Sequence, residues 1–100
     1  MSTSKTDLKG MVCQWAERIG VKVGEIHLRS MRRKWASISM KGRLTLNTDL
    51  LNLPEALTEY VIVHELVHLL VPNHGKLFKS FMSAYLPDWE ERQDRLRSLY

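Results

Sequence analysis

The sequence predicts an α+β fold in the order helix, three strands, three helices. Three observations predict it. Apolar residues recur at helical spacing from Leu8 to Ile19, and two short alternating runs, "WASISM" and "RLTLN", flank Lys41-Gly42. A long apolar run then lies between Pro54 and Pro72. The first has the three-and-four period of one helical face, the second the period of a β-hairpin, and the third is too long for an ordinary strand.

In the first helix, Leu8, Met11, Val12, Trp15, Ala16 and Ile19 form the apolar stripe and Gly20 ends it. Ser4 with Asp7 has the spacing of a capping box, and Arg18 sits in the last turn, where a cation suits the helix dipole. Cys13 falls beside the stripe and is expected to be a partly buried structural thiol. Residues 21–29 alternate as a first strand, with Ile26 and Leu28 on one face and His27 and Arg29 on the other. The hairpin follows, Gly42 taking the positive-φ position and Leu44 and Leu46 facing inward. "LRSMRRKW" between them reads as a basic loop.

After Pro54, which suits a first helical turn, Glu55 and Glu59 lie near the positive end of the dipole, and Pro72 stops the helix. A helix this apolar must be covered on several sides, so it is central. The next helix is expected to bury Leu77, Phe78, Phe81 and Met82. After Pro87, Asp88 with Glu91 has the spacing to cap a last helix carrying Leu96 and Leu99. Trp15 fits the core stripe, and Trp89 with Phe78 and Phe81 is expected to pack the C-terminal helices.

One hundred residues without a linker or repeat fit one domain spanning 1–100. No apolar run approaches the roughly 18 residues needed to span a bilayer, and the opening "MSTSKTDLKG" lacks the apolar core of a secretory signal, so a cytoplasmic location is expected and a membrane partner is not. A single cysteine excludes an internal disulfide and a cysteine-rich zinc site, so any metal must be held by His and carboxylates. The net charge is +4, and no acid occurs between Glu25 and Asp49, where Arg29, Arg32, Arg33, Lys34, Lys41 and Arg43 all lie. Such a segment can contact phosphates or serve as a solvated surface; charge alone does not choose.

The run "VIVHELVHLLV" places His64, Glu65 and His68 in the most apolar part of the chain, where ionisable groups must be paired or bound to a metal. His64 and His68 are one turn apart on one face, so both rings can reach one ion, and Glu65 stands beside the metal without ligating it. A catalytic zinc takes a third protein ligand. His74 is the first choice, six residues on, past Pro72 and followed by the permissive Gly75. Asp88, Glu90, Glu91 and His27 compete, and a downstream Glu is the second choice.

The blocks "RRKWASIS", "GRLTLN", "YVIVHELVHLLVPNHGKLFKSFM" and "LPDWEER" together resemble the YgjP-like and SprT-related small zinc metallopeptidases of the zincin group. The resemblance covers roughly residues 29–95 and implies a minimal zincin-like domain. It implies one Zn2+ per chain on His64, His68 and His74, with Glu65 as general base. This chain has Trp35-Ala36-Ser37-Ile38-Ser39 where that family usually has Trp-Gly-Ser-Cys-Ser. Its length also resembles that of the minigluzincins, named for an acidic third ligand, which keeps the Glu alternative open.

The expected function is therefore a zinc-dependent peptide-bond hydrolase acting on peptides or unfolded protein. Tyr60, Tyr85 and Arg43 are candidate donors to the oxyanion, and the strand Arg43–Asn47 is the expected sheet edge for extended substrate. Two other classes stand beside it. One is a nucleic-acid-associated zinc module, or a protease of DNA-bound proteins, with weak DNA binding through Arg29, Arg32, Arg33 and Lys34. The other is a catalytically silent interaction domain supported by zinc, which would have no need of Glu65.

Overall fold

The computed structural model describes residues 5–99. Helix α1 (Lys5–Ile19) is followed by strands β1 (Glu25–Arg29), β2 (Ala36–Ile38) and β3 (Arg43–Asn47). A short 3-10 helix (Thr48–Asn52) leads into α2 (Glu55–Val67), α3 (Lys76–Tyr85) and α4 (Trp89–Arg97). The element order is the one expected, with the 3-10 helix added.

The α1 stripe is buried except at its margin: Leu8 and Val12 are inaccessible, Trp15, Ala16 and Ile19 nearly so, and Met11 is partly buried. Gly20 closes the helix at φ +84°, and its N–H and that of Val21 both donate to the Ala16 carbonyl. Cys13, expected to be partly buried, is exposed instead. It lies on the flank of the stripe, outside the sector that faces the core. The Ser4 half of the expected capping box lies outside the described residues.

The sheet has the order β1-β3-β2. β2 and β3 form the expected antiparallel hairpin, with Ile38 opposite Leu44 and Ala36 opposite Leu46. β1 runs parallel to β3, with Ile26 opposite Leu44 and Leu28 opposite Leu46. The first strand is four residues shorter at its start than its alternation implied, because the ladder extends only where β3 supplies a partner. This order corrects one expectation directly. Arg43–Asn47 is the central strand, hydrogen-bonded on both sides, and β1 and β2 hold the two edges. Leu44 and Leu46 face inward and are fully buried.

Every other layer meets α2, whose Leu57, Tyr60, Val61, Ile62, Val63, Leu66 and Val67 are buried in one cluster with the α1 stripe and the sheet. Each fully buried side chain of this kind contributes about 1.5–3 kcal/mol. Polar ties set the orientations. The Thr58 hydroxyl donates to the Leu50 carbonyl at 2.9 Å, fixing α2 on the 3-10 helix. Glu59 accepts from the Trp15 indole at 3.0 Å and from the Arg92 guanidinium at 2.7 Å, joining α1 and α4 through α2. Arg92 also donates to the Ala56 carbonyl and to Asp88. Asp88 thus spends its carboxylate on Arg92 and makes no side-chain capping bond to α4.

On α3, Phe78 and Met82 are buried and Phe81 is half-buried, but Leu77 is 59% exposed. α3 packs through Phe78 and Met82 at the periphery, so among the described residues the flank carrying Leu77 is left uncovered. No helix among the described residues is long and apolar enough to cross a membrane.

Gly42 turns the hairpin at φ +89°, and a Cβ there would meet the Lys22 carbonyl oxygen at 3.0 Å and the Gly24 nitrogen at 3.2 Å. Gly42→Ala is therefore expected to destabilise the fold by about 1–3 kcal/mol. Gly10 is the counter-case, exposed within α1, where an added Cβ would meet nothing within 4 Å. Gly10→Ala should stabilise by about 0.5–1 kcal/mol through the entropy of the unfolded chain. Urea midpoints of both variants check the opposite signs.

Candidate metal centre

In the C-terminal half of α2, His64, Glu65 and His68 are the positions that emerge from the core. All three are partly buried, whereas their neighbours Val63, Leu66 and Val67 are fully buried. The α-helix ends at Val67, and the chain continues through tight turns in which the N–H groups of His68, Leu69 and Leu70 donate to the carbonyls of Glu65, Leu66 and Val67. Val71 packs into the core, and Pro72 then directs the chain back across the helix end. His74 is brought over His68, with their Nε2 atoms 2.9 Å apart. One ligand atom from each of His64, His68 and His74 lies within 4.8 Å of the others.

Three imidazole nitrogens converging at this separation fit a single tetrahedral ion, and the donor set suits zinc. His68 Nδ1 lies 3.2 Å from the Val71 carbonyl, which accepts its proton and leaves Nε2 facing the other two rings. Burial, reinforced by the nearby His64, lowers the His68 pKa below its ordinary value and favours the neutral ring that a metal requires. His64 Nδ1 lies 3.4 Å from Glu65, whose side chain is 13% exposed. Glu65 is thus held at the mouth of the cleft, adjoining the trio and outside it.

The alternatives separate spatially. His27 lies on β1, exposed, 3.6 Å from Glu25. Asp88 is engaged by Arg92. Glu90 lines a groove shared with His64 and His74, yet it is not among the groups whose ligand atoms converge. Arg43 pairs with Glu25, and Tyr85 packs edge-on against Trp15. Of the three oxyanion candidates, Tyr60 stands nearest, its ring 5.8 Å from His64. Burial pushes its phenol pKa up, so it keeps its proton at neutral pH, and its oxygen accepts from Gln93.

The period of α3 assigns Phe78 to packing among the C-terminal helices. It is buried, but it also lies under all three histidines, with ring centroids 5.2, 4.9 and 4.8 Å from His64, His68 and His74. Its spacing of four from His74 across the start of α3 is the one signal in the sequence. Ala36, where a tight turn would need glycine, is instead the first residue of β2, and no non-glycine residue among those described has positive φ.

β2 forms the upper rim of a cleft of about 400 Å³ that contains His64, Glu65, His68 and His74, with Ile38, Met40 and Pro72 on its walls. Arg29, Arg32, Arg33 and Lys34 are all exposed; of these, Lys34 borders the cleft. The basic loop is not free to wander. The Asn47 amide, 1% exposed, donates to the carbonyls of both Met31 and Lys34 at 2.8 Å.

Comparison with known proteins agrees with this arrangement. Residues 2–99 match the YgjP-like metallopeptidase domain. An uncharacterized protein of Methanocaldococcus jannaschii is 31% identical over 90 residues, covering 85% of this chain and 82% of that protein. The crystal structure of the metallopeptidase zymogen of Pyrococcus abyssi abylysin superposes with a TM-score of 0.81 at 25% identity, covering 91% of this chain and 92% of that one. That of the metallopeptidase zymogen of Methanocaldococcus jannaschii jannalysin gives 0.82 at 28% identity, covering 94% and 98%. A match over nearly the whole chain, on a fold in which two histidines of α2 and a third from the segment after it converge, assigns the chain to the YgjP-like metallopeptidase family, as a small zincin-like zinc metallopeptidase.

Proposed function

We propose that the chain is a metalloendopeptidase in which His64, His68 and His74 hold one zinc ion and Glu65 is the general base. The observation that carries this reading is the convergence of the three ring nitrogens within 4.8 Å, with the Glu65 carboxylate at the edge of the same cleft. Bound zinc supplies Lewis acidity, polarising the scissile carbonyl and acidifying water. Glu65 accepts the proton of the attacking water at a carboxylate oxygen and returns it to the leaving amine nitrogen, so one group serves both proton transfers. Phe78 fixes the planes of the three rings from below, and the Val71 carbonyl fixes the tautomer of His68. The substrate is an extended peptide or unfolded segment. β2, the edge strand that lines the cleft, offers its free backbone groups for pairing with such a chain. A metal-supported interaction module would have no use for a carboxylate beside the trio, which favours the hydrolase over that class.

Zinc titrated calorimetrically into metal-free protein should bind one ion per chain. His68→Ala and His74→Ala should each weaken binding at least tenfold, whereas Glu90→Gln should leave it unchanged. Tight binding by His74→Ala together with loss in Glu90→Gln would instead establish the acidic third ligand.

Glu65→Gln should retain the ion and the fold but lose about 10²–10⁴ in turnover, because the amide cannot take the proton. Cleavage of an unfolded reporter protein by the zinc-loaded wild type and variant measures this, and equal rates would remove Glu65 from the role of base.

A further inference from the structure

The cleft has a second compartment. Beside His64 and Glu65, on the side away from His68 and His74, a cavity of about 230 Å³ opens between the β2 edge and the C-terminal helix. Its walls are Trp35, Ala36, Tyr60, Val61 and Leu96, drawn from the basic loop, β2, α2 and α4. The cavity is smaller than the roughly 300–1,000 Å³ of pockets that hold whole drug-sized ligands, and its lining is that of a hydrophobic compartment. One aliphatic or aromatic side chain fits such a space.

Lys34 borders both this compartment and the main cleft, as do Ala36, His64 and Glu65. It therefore stands on the ridge that a peptide must cross when one of its side chains enters the compartment and its backbone runs along the cleft. Lys34 forms no ion pair among the described residues. Its backbone is fixed, since its carbonyl accepts from the buried Asn47 amide. The root of the side chain is thus held at the rim by the fold, and its flexible stem carries the ammonium across the ridge. A carboxylate on the residue next to the inserted side chain would meet it.

We infer that this protein selects peptides in which an apolar residue is followed or preceded by an acidic one, with Leu96 gauging the apolar side chain and Lys34 the carboxylate. The inference rests on the proposed peptidase reading of the site. It also gives the basic loop a role at the cleft rim. The two recognition elements differ in strength. Apolar pockets discriminate by about 10–200-fold per methylene, whereas an exposed lysine supplies a salt-sensitive preference of a few-fold.

The test uses quenched fluorescent peptides that differ at one position (Leu, Phe or Ala) and at its neighbours (Glu, Gln or Lys), with two readouts. One is cleavage by zinc-loaded wild type, Lys34→Glu, Leu96→Ala and Leu96→Trp. The other is binding of the same peptides to zinc-loaded Glu65→Gln, with or without the Lys34 and Leu96 substitutions, by fluorescence anisotropy. The expected result is Leu or Phe over Ala by at least tenfold and Glu over Lys by a few-fold, the charge preference fading in 0.5 M salt. Lys34→Glu should reverse the charge preference. Leu96→Ala should shift the optimum toward Phe and Leu96→Trp toward Ala; Lys34 is exposed, so its variant tests the idea even if neither Leu96 variant folds. Cleavage without these preferences, or with preferences that Lys34→Glu leaves intact, overturns the inference while the peptidase reading stands. No cleavage, but the same ranking in binding, upholds the inference and removes the hydrolase. Indifferent binding without cleavage overturns both.

Discussion

The burial of α2 is the constraint on which the rest of this structure depends. A helix that is apolar nearly all round cannot rest on a surface; α1, the sheet, α3 and α4 must enclose it. Its ionisable groups lie where the enclosure is open or a partner is at hand: Glu55 is exposed, Glu59 is paired with Arg92, and His64, Glu65 and His68 share the open sector of the C-terminal half at a spacing that puts them within reach of one another. The same burial that stabilises the fold also keeps these groups half-desolvated, which in the case of His68 favours the neutral ring. Stability and site chemistry come from one packing arrangement.

A small number of polar ties then turn that packing into a defined cleft. Glu59, Trp15 and Arg92 lock α1 and α4 at fixed positions along α2, so Leu96 is held opposite Trp35 and Tyr60. Asn47, fully buried at the end of the central strand, uses its amide for two loop carbonyls while its oxygen accepts from the Asp49 N–H. Loss of that side chain would remove both part-buried hydrogen bonds that tie the loop to the strand. A segment whose sequence reads as a basic loop is thereby tied to the central strand at two points, with Lys34 at the cleft.

The sheet order has a similar consequence for substrate access. Pairing β1 in parallel with β3 satisfies both sides of β3 and leaves β2 as the edge that faces the histidines. Backbone groups for an incoming extended chain can come only from a strand with one side unpaired. The short β2, three residues long, lines the same cleft as Glu65.

What the sequence determined by itself is local. The periods of α1 and α2, the Lys41-Gly42 turn and the HExxH spacing each arise within a few residues, where backbone geometry fixes which side chains share a face. The return of the chain at Pro72 and Gly75 was legible too, and with it the approach of His74, because only six residues separate it from His68. Position along the chain could not exclude Glu90 or Glu91 from that approach; only the packing of α4 sets Glu90 apart from the converging nitrogens. Tertiary structure alone decided that β3 is central, because its parallel partner is a non-local strand and alternation does not reveal which strands meet. It also decided that Leu77 and Cys13 face outward and that Phe78 lies beneath the histidines. Periodicity defines a face, but what covers that face depends on elements distant in the chain.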